Sequence, residues 1–509
     1  MDVCLLYRDS HTDGKKPYHT HRDIIKDLNL DIVFKTMSRG DFLIDEKVRR
    51  VMMIPLTTPE EIRYRQDIIN DFYEHTGMLN ELYSLAEKQY TALRTYKEET
   101  AKGRNRSSNN AAETIVTIKY LKQAQESLGK LRTILRVNEG IYASEGLKSL
   151  LARLDTLSLE QINIKIQEME AFLAGASMGY TFQFGGGLKI KDAVLNSCNL
   201  DPVRGKKPKQ STFQNLYLKY IKKNTLFISN DDVLKQDVLH LRQATVAQML
   251  RIFKPYLQQL ISFFEHYIEE IAFYMGVIKF MRRLSELNIP LKVPTPLPMG
   301  SKDTSFTELY ELSMAIYSQT KPVGNYLNVK DNLLTLITGA NQGGKSTFLR
   351  SYGIAQVLMQ CGMPVPAIWF TAPIYSQIFT HFTRQEDEQL SSGRLREELK
   401  RMSSMIDIAD SHSLFLFNES FASTTEKEGA KIAYVILKAF YEKNIQTMMV
   451  THLHQLADDL YNKQLPGITF LVAERLDDGS RTFHMIPGKP SHTSFGTDLF
   501  KILEDEIYV

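Results

Sequence analysis

The run Gly339-Ala340-Asn341-Gln342-Gly343-Gly344-Lys345-Ser346 fits G-x-x-x-x-G-K-[ST], a pattern suited to holding the phosphates of a nucleotide. Its glycines let the main chain curl so that the N–H groups of Gly343 to Ser346 wrap an anion at the positive end of the following helix. Lys345 is placed to reach the β- and γ-phosphates, and the Ser346 hydroxyl is an oxygen ligand suited to Mg2+. Such a loop needs a strand before it and a helix after it. Leu333-Leu334-Thr335-Leu336-Ile337-Thr338 is apolar and β-branched and reads as a buried strand, and Ser346 to Met359 reads as a helix. The ligands expected are ATP and Mg2+.

Two later strand ends carry further chemistry. Ser413-Leu414-Phe415-Leu416-Phe417 reads as a buried strand ending in Asn418-Glu419. In phosphate-loop ATPases the first residue of such a pair helps hold Mg2+ through water, and the second orients and deprotonates the attacking water. Glu419 is the candidate for that base, with a solvated carboxylate at a strand end as the plainer reading. Asn418 keeps the hydrogen-bonding shape of an aspartate without its charge, so weaker metal binding or slower hydrolysis is expected. Thr447 to Val450 reads as another buried strand, followed by Thr451-His452. His452 is a candidate γ-phosphate sensor, with a packing role as the alternative. His454 lies close by, but no Cys or Asp cluster joins it, which argues against a metal pair.

These strand ends need an α/β frame. From about 300 to 509 strands alternate with helices, as in a mostly parallel sheet covered on both faces. Residues 1–58 read as a short mixed segment. The first clear helix starts at Thr58-Pro59-Glu60-Glu61, where Thr58 caps and Pro59 suits the first turn, and its pattern runs to about Glu99. Further helical patterns cover about 111–136 and 145–175. Residues 178–230 change character, with Gly185-Gly186-Gly187 as a break and Arg204-Gly205-Lys206-Lys207-Pro208-Lys209 as a basic loop. From about 231 to 288 an apolar period continues through Leu239, Val246, Leu250, Leu257, Phe264 and Ile271, and one uninterrupted helix is expected. It would span roughly 80 Å at about 1.5 Å per residue and act as a strut or lever. Pro290, Pro294, Pro296 and Pro298 mark the boundary to the C-terminal domain.

Composition narrows the class. At 509 residues the chain is too long for one ordinary core, and about two to four domains are expected. A net charge of +3 neither demands nor excludes nucleic acid, so a basic patch would have to be local. Cys4, Cys198 and Cys361 are far apart and suggest neither a disulfide framework nor a zinc knuckle, which favours a cytoplasmic setting. No signal-peptide core and no apolar run of about 18 residues is present, so no membrane span is expected.

In this order the motifs resemble the ATPase domain of the MutS family of DNA mismatch-repair and recombination proteins, an ABC-like branch of phosphate-loop ATPases. The family's T-G-P-N-M-G-G-K-S-T stands here as Thr338-Gly339-Ala340-Asn341-Gln342-Gly343-Gly344-Lys345-Ser346-Thr347, and its G-x-x-V-P-A as Gly362 to Ala367. Its I-F-T-R appears as Ile378-Phe379-Thr380-His381. Its D-E-x-x-x-G-T-S-T-x-D-G is represented by Asn418-Glu419, Thr424-Thr425 and Glu428-Gly429, and its T-H-x-x-E-L by Thr451 to Leu456. Upstream, Pro322 to Asn328 is similar to F-I-A-N-P-L-N, which makes Val323 and Asn325 candidate adenine contacts. Met52 to Leu56 and Ile62-x-x-Arg65 look like the start of the family's core domain. The resemblance therefore implies an all-α core and lever region over 1–300, with 178–230 an insertion or reduced clamp, followed by an ABC-like ATPase domain over 301–509. It implies Gly339, Asn341, Gly343, Gly344, Lys345, Ser346 and Thr347 around ATP, Ser346 and Asn418 at Mg2+, and Glu419, Lys345 and His452 in hydrolysis.

The departures shape the expected function. The sequence begins at the core domain, so a short form without the mismatch-reading and connector domains is expected, as is the absence of the small C-terminal nuclease domain of some paralogues. The family's helix opening S-G-R-S-T, which reaches across to a partner subunit's γ-phosphate, reads Ser392-Gly393-Arg394-Leu395-Arg396. Leu395 cannot donate, which leaves Ser392 and Arg394 as substitutes. The glycine-rich turn after the acidic pair is replaced by Ser420-Phe421-Ala422-Ser423. In ABC-like ATPases the opposite subunit completes each site, so a homodimer is implied. Expected partners are DNA, branched or distorted rather than singly mispaired, and other repair proteins. Arg204, Lys206, Lys207 and Lys209 are candidate, salt-sensitive phosphate contacts, against a solvated linker as the plainer reading. Two alternatives stay open: a nucleotide-driven switch acting on a protein partner, and a nucleotide sensor with weak turnover.

Overall fold

The computed structural model describes residues 3–8, 15–103, 110–173, 178–184, 190–198, 232–383 and 393–490. A helical N-terminal region is followed by an α/β domain with mixed sheets. The chain divides into two compact units, one formed by Met1–Val3, Glu81–Gly140 and Ser149–Ile268, the other by Cys4–Asn80, Ile141–Lys148 and Glu269–Val509. No helix among the described residues is long and apolar enough to cross a membrane.

The first unit is built from helices around a leucine-rich core, with Leu93, Leu121, Leu128, Leu135, Leu257 and Phe264 all buried. The helix Asn110–Val137 follows the predicted pattern, while the pattern at 145–175 breaks into Glu145–Asp155 and Leu159–Leu173. Strands β1 (Met178–Phe184) and β2 (Ile190–Cys198) pair antiparallel inside the stretch where no element was foreseen. The expected long helix is present as Asp232–Glu286, and Pro255 lies inside it. The ring of Pro255 removes one main-chain donor and crowds the carbonyl one turn back.

In the second unit the sequence reading of 1–58 needs correction. Three short helices, His21–Asp27, Leu30–Ser38 and Phe42–Met52, precede the first one expected. Each makes too few turns for a clear apolar period. Asp41 caps the third through Leu43 N and Ile44 N. Thr58 and Pro59 start Pro59–Glu74 as read from the sequence, but His75 ends it and a second helix, Thr76–Gly103, follows.

The rest of this unit holds two sheets. Strands β3 (Thr295–Leu297), β4 (Thr304–Leu309), β5 (Asn325–Val329) and β7 (Trp369–Pro373) form a mixed sheet of order β3-β7-β4-β5. Strands β6 (Leu334–Gly339), β8 (Gln377–Phe382), β9 (Ser413–Asn418), β10 (Gln446–Val450), β11 (Ile468–Arg475) and β12 (Arg481–Pro487) form the larger one, of order β12-β11-β6-β10-β9-β8. All its neighbours are parallel except β11 and β12. Alternation along the strands feeds both faces. Phe415 and Phe417 join Phe379, Leu336 and Met449 against the helices Arg394–Ile406, Glu426–Glu442 and His454–Lys463. On the opposite face Leu416 meets the helix Lys345–Gln360 at Gly353, where a Cβ would stand 2.8 Å from the leucine.

Candidate functional site

Parallel strands bring their carboxyl ends to one edge of the sheet, the edge where α/β folds bind ligands. Here the ends of β6, β10 and β9 lie side by side, and the residues singled out above follow each of them. Gly339 closes β6 with φ +118°, and a Cβ there would stand 2.8 Å from the Ala473 nitrogen on β11. Gly344, at φ +89°, turns the chain into the helix Lys345–Gln360. Both positions need a residue without a side chain.

Lys345 is buried and donates from Nζ to the carbonyls of Gly339 (3.0 Å) and Ala340 (2.8 Å). Burial pushes its ammonium down to about 8, with the Glu419 carboxylate opposing that shift and the Arg481 guanidinium adding to it. Ser346 donates its hydroxyl proton to Asn418 Oδ1 at 2.8 Å. The two side chains thus present hard oxygen donors at one point, a set that fits Mg2+.

Glu419 sits at φ +56°, where non-glycine residues are uncommon, and its N–H donates to the Val450 carbonyl at 2.9 Å. Its Oε1 lies 3.2 Å from His452 Nε2. That hydrogen bond is the main reason the carboxyl is held below its ordinary range; burial opposes it, and the charges of His452 and Lys345 support it.

A cavity of about 420 Å³ joins these groups. Asn341, Gly343 to Thr347, Glu419 and His452 line it, together with Thr320 to Val323, Asn325 and Phe483. Of the residues expected here, Gly339 stands at the loop's root and Asn418 is reached through Ser346. Val323 is partly exposed and faces the cavity. Asn325 touches it, but its amide is engaged with β12: Nδ2 donates to the Phe483 carbonyl (3.2 Å) and Oδ1 accepts from Met485 N (2.9 Å). Arg394 begins the helix Arg394–Ile406 and does not line the cavity. Ser392, Arg204, Lys206, Lys207 and Lys209 lie outside the described residues.

Phe483 and Arg481 were not expected. Phe483 presents a half-exposed ring to the cavity, and Arg481 Nη1 donates to Gln342 Oε1 at 3.3 Å, steadying a loop residue at φ +57°. Both reach the loop only because β12 turns back on β11, and nothing in their local sequence marks it.

Residues 335–504 match the family model described as MutS domain V, and residues 57–287 match the one described as the MutS2 N-terminal domain. A protein named DNA mismatch repair protein MutS from Petrotoga mobilis is 22% identical over 561 residues, covering 99% of this chain and 66% of the relative. One of the same name from Leptospira interrogans is 27% identical over 258 residues, 47% of this chain and 30% of the relative. MutS protein homolog 4 of Mus musculus is 33% identical over 148 residues, 28% of this chain and 15% of the relative. The chain spans less than two thirds of the length of these curated relatives.

Proposed function

The chain belongs to the MutS family, and from that premise we propose that it is a nucleotide-switched, DNA-binding ATPase that works as a homodimer. The observation that carries this reading is the gathering of Lys345, Ser346, Glu419 and His452 around one cavity at the ends of three parallel strands. ATP is the substrate. Its phosphates displace the Gly339 and Ala340 carbonyls as partners of Lys345, and Val323 and Phe483 flank the base. Ser346 and Asn418 would hold Mg2+, which would supply positive charge to the phosphates when bound. Glu419, kept ionised by His452, accepts a proton from water as that water attacks the γ-phosphorus, giving ADP and phosphate. His452 holds one carboxylate oxygen and leaves the other for the water.

Hydrolysis is slow on this reading, because Asn418 lacks the charge of an aspartate and Leu395 cannot donate to a partner's nucleotide. Arg394 and Ser392 are the candidates to act across the dimer. Residues 301–509 form the ATPase domain, and 1–300 the core and lever through which the nucleotide state reaches DNA of branched or distorted form. Arg204, Lys206, Lys207 and Lys209 are candidate phosphate contacts, other repair proteins are candidate partners, and the setting is cytoplasmic. The test is steady-state phosphate release by the wild type, Lys345→Ala and Glu419→Gln, together with binding to duplex, junction and single-stranded DNA at low salt with and without ATP. Turnover lost in both variants and nucleotide-dependent DNA binding are expected; no binding to any of these DNAs would sink the DNA assignment. Asn418 favours one second reading, a sensor that binds ATP and barely turns it over. Wild-type turnover no faster than that of Glu419→Gln would favour it.

A further inference from the structure

His381 lies near the end of β8 and is fully buried. Its Nδ1 is 2.7 Å from the Ser420 hydroxyl oxygen. Ser420 has one hydroxyl proton, and it points to the main-chain carbonyl of His381 at 2.5 Å. The proton between Nδ1 and Ser420 must therefore come from the ring. Nε2 faces the main-chain carbonyl of Glu398 at 3.3 Å, a group that can only accept. Both ring nitrogens thus meet acceptors, and an imidazole satisfies two acceptors only when both nitrogens carry protons. The ring also stacks on Phe421 at 5.5 Å and tilts against Phe417 at 5.9 Å, aromatic surroundings that tolerate a cation.

The contacts of His381 fall on the turn that carries Glu419. Ser420 follows Glu419 directly, and the residues on either side of it, Glu419 and Phe421, both hold left-handed backbone, at φ +56° and +65°. Such strain persists only when neighbours impose it. Thr383, just beyond β8, supplies a second grip, with its hydroxyl donating to the Glu419 carbonyl (2.6 Å) and its N–H to the Asn418 carbonyl (3.1 Å). Through Nε2 the same ring holds the first turns of the helix Arg394–Ile406. Among the described residues, the ionisable side chains on the segments that contact His381 include Glu398 and Arg401 on that helix and Glu419 beside Ser420. Glu398 Oε2 accepts from Ser423, and Arg401 Nη2 donates to the Phe382 carbonyl. Glu426 and Glu428, in the first turn of the helix packed on Phe421, are engaged by His454 N and Thr424 Oγ1.

We propose that His381 is held as a buried imidazolium and that it is a positioning residue for Glu419 that ties the carboxylate turn to the helix opened by Arg394. The proposal rests on the ATPase reading for its kinetic consequence but not for its protonation state, and two measurements separate the two. In histidine-selective 15N NMR, with the His381 signals identified by their loss in His381→Arg, both ring nitrogens carry protons at neutral pH; a singly protonated ring there overturns the proposal, whatever the enzyme's activity. In kinetics, His381→Gln lowers kcat about tenfold while nucleotide affinity stays within about twofold. His381→Arg recovers most of that loss and removes the decline in wild-type kcat that follows imidazole deprotonation. An unchanged pH profile in His381→Arg, or a loss of nucleotide affinity in His381→Gln matching its loss of kcat, would mean that the ring only packs.

Discussion

Two charged clusters of the second unit are built on opposite plans, one sealed in the interior and one open to a cavity. Around Arg65 every partner is fixed. The guanidinium is fully buried and donates to the Leu6 carbonyl (2.8 and 3.3 Å) and to the Cys361 carbonyl (3.1 Å), between the rings of Tyr7 and Phe273. Glu270 accepts from Leu5 N (2.5 Å) and Leu6 N (3.1 Å), and Tyr64 and Tyr274 donate to the carbonyls of Cys4 and Leu5 (2.6 Å each). Around Lys345 the partners are exchangeable: its ammonium rests on two carbonyls beside an open cavity, and Glu419 is tied by one side-chain hydrogen bond. Buried charge that spends all its hydrogen bonds on main chain holds a segment in place. Buried charge that faces a cavity, with partners a ligand can displace, is prepared for chemistry.

The most severe way to break this contrast is at Glu419. Glu419→Gln keeps shape and removes the proposed base, so turnover should fall about 100- to 1,000-fold with nucleotide affinity nearly unchanged. A matching loss of ATP affinity would make Glu419 a binding group and blur the two clusters. Arg65→Met is the converse test. It leaves the Leu6 and Cys361 carbonyls without their donor and Glu270 without its neighbouring charge, at a cost of about 3–5 kcal/mol. A lowered unfolding midpoint is expected, with unchanged nucleotide affinity of the folded fraction. A stable variant that loses ATP would reverse the assignment.

The sequence told these clusters apart unevenly, for physical reasons. The strand–loop–helix around Lys345 and the strand ends at Asn418 and His452 are local patterns, in which apolar runs set the strands and the chemistry follows within a residue or two. The Arg65 cluster depends on Cys4 to Leu6 meeting residues near 65, 270 and 361, and no window along the chain contains that. The same holds for β12, which delivers Arg481 and Phe483, and for the sheet of β3, β4, β5 and β7, whose strands lack the unbroken apolar run of β9. Inside the helix Asp232–Glu286 the apolar period outweighed Pro255, since one missing main-chain bond does not end a helix with this much buried surface.

A smaller effect is expected at Glu270. Burial pushes its carboxyl up to about 7, with the Leu5 and Leu6 N–H groups opposing. The folded state therefore holds this proton more tightly than the unfolded chain, so stability declines as pH rises from the ordinary carboxylate range to about 7 and is flat above. Glu270→Gln should remove that slope from the thermal midpoint. A slope that survives would assign the titration to another group.

The smallest effect sharpens the other side of the contrast. Lys345 titrates at about 8 without nucleotide because burial disfavours its charge. Phosphates arriving at Nζ add negative charge beside it and replace two neutral carbonyls, so the bound state must favour the ammonium. Near pH 8 to 9 part of the free protein carries a neutral lysine, and binding ATP then takes up a fraction of one proton; near pH 6 the lysine is already charged and uptake at this site vanishes. Calorimetric titration in buffers of different ionisation enthalpy reads the proton number directly, and Lys345→Arg, permanently charged, should bring it close to zero near pH 8 if ATP still binds. Uptake that is independent of pH, or equal in the arginine variant, would place the proton elsewhere and leave Lys345 as fixed in its charge as Arg65.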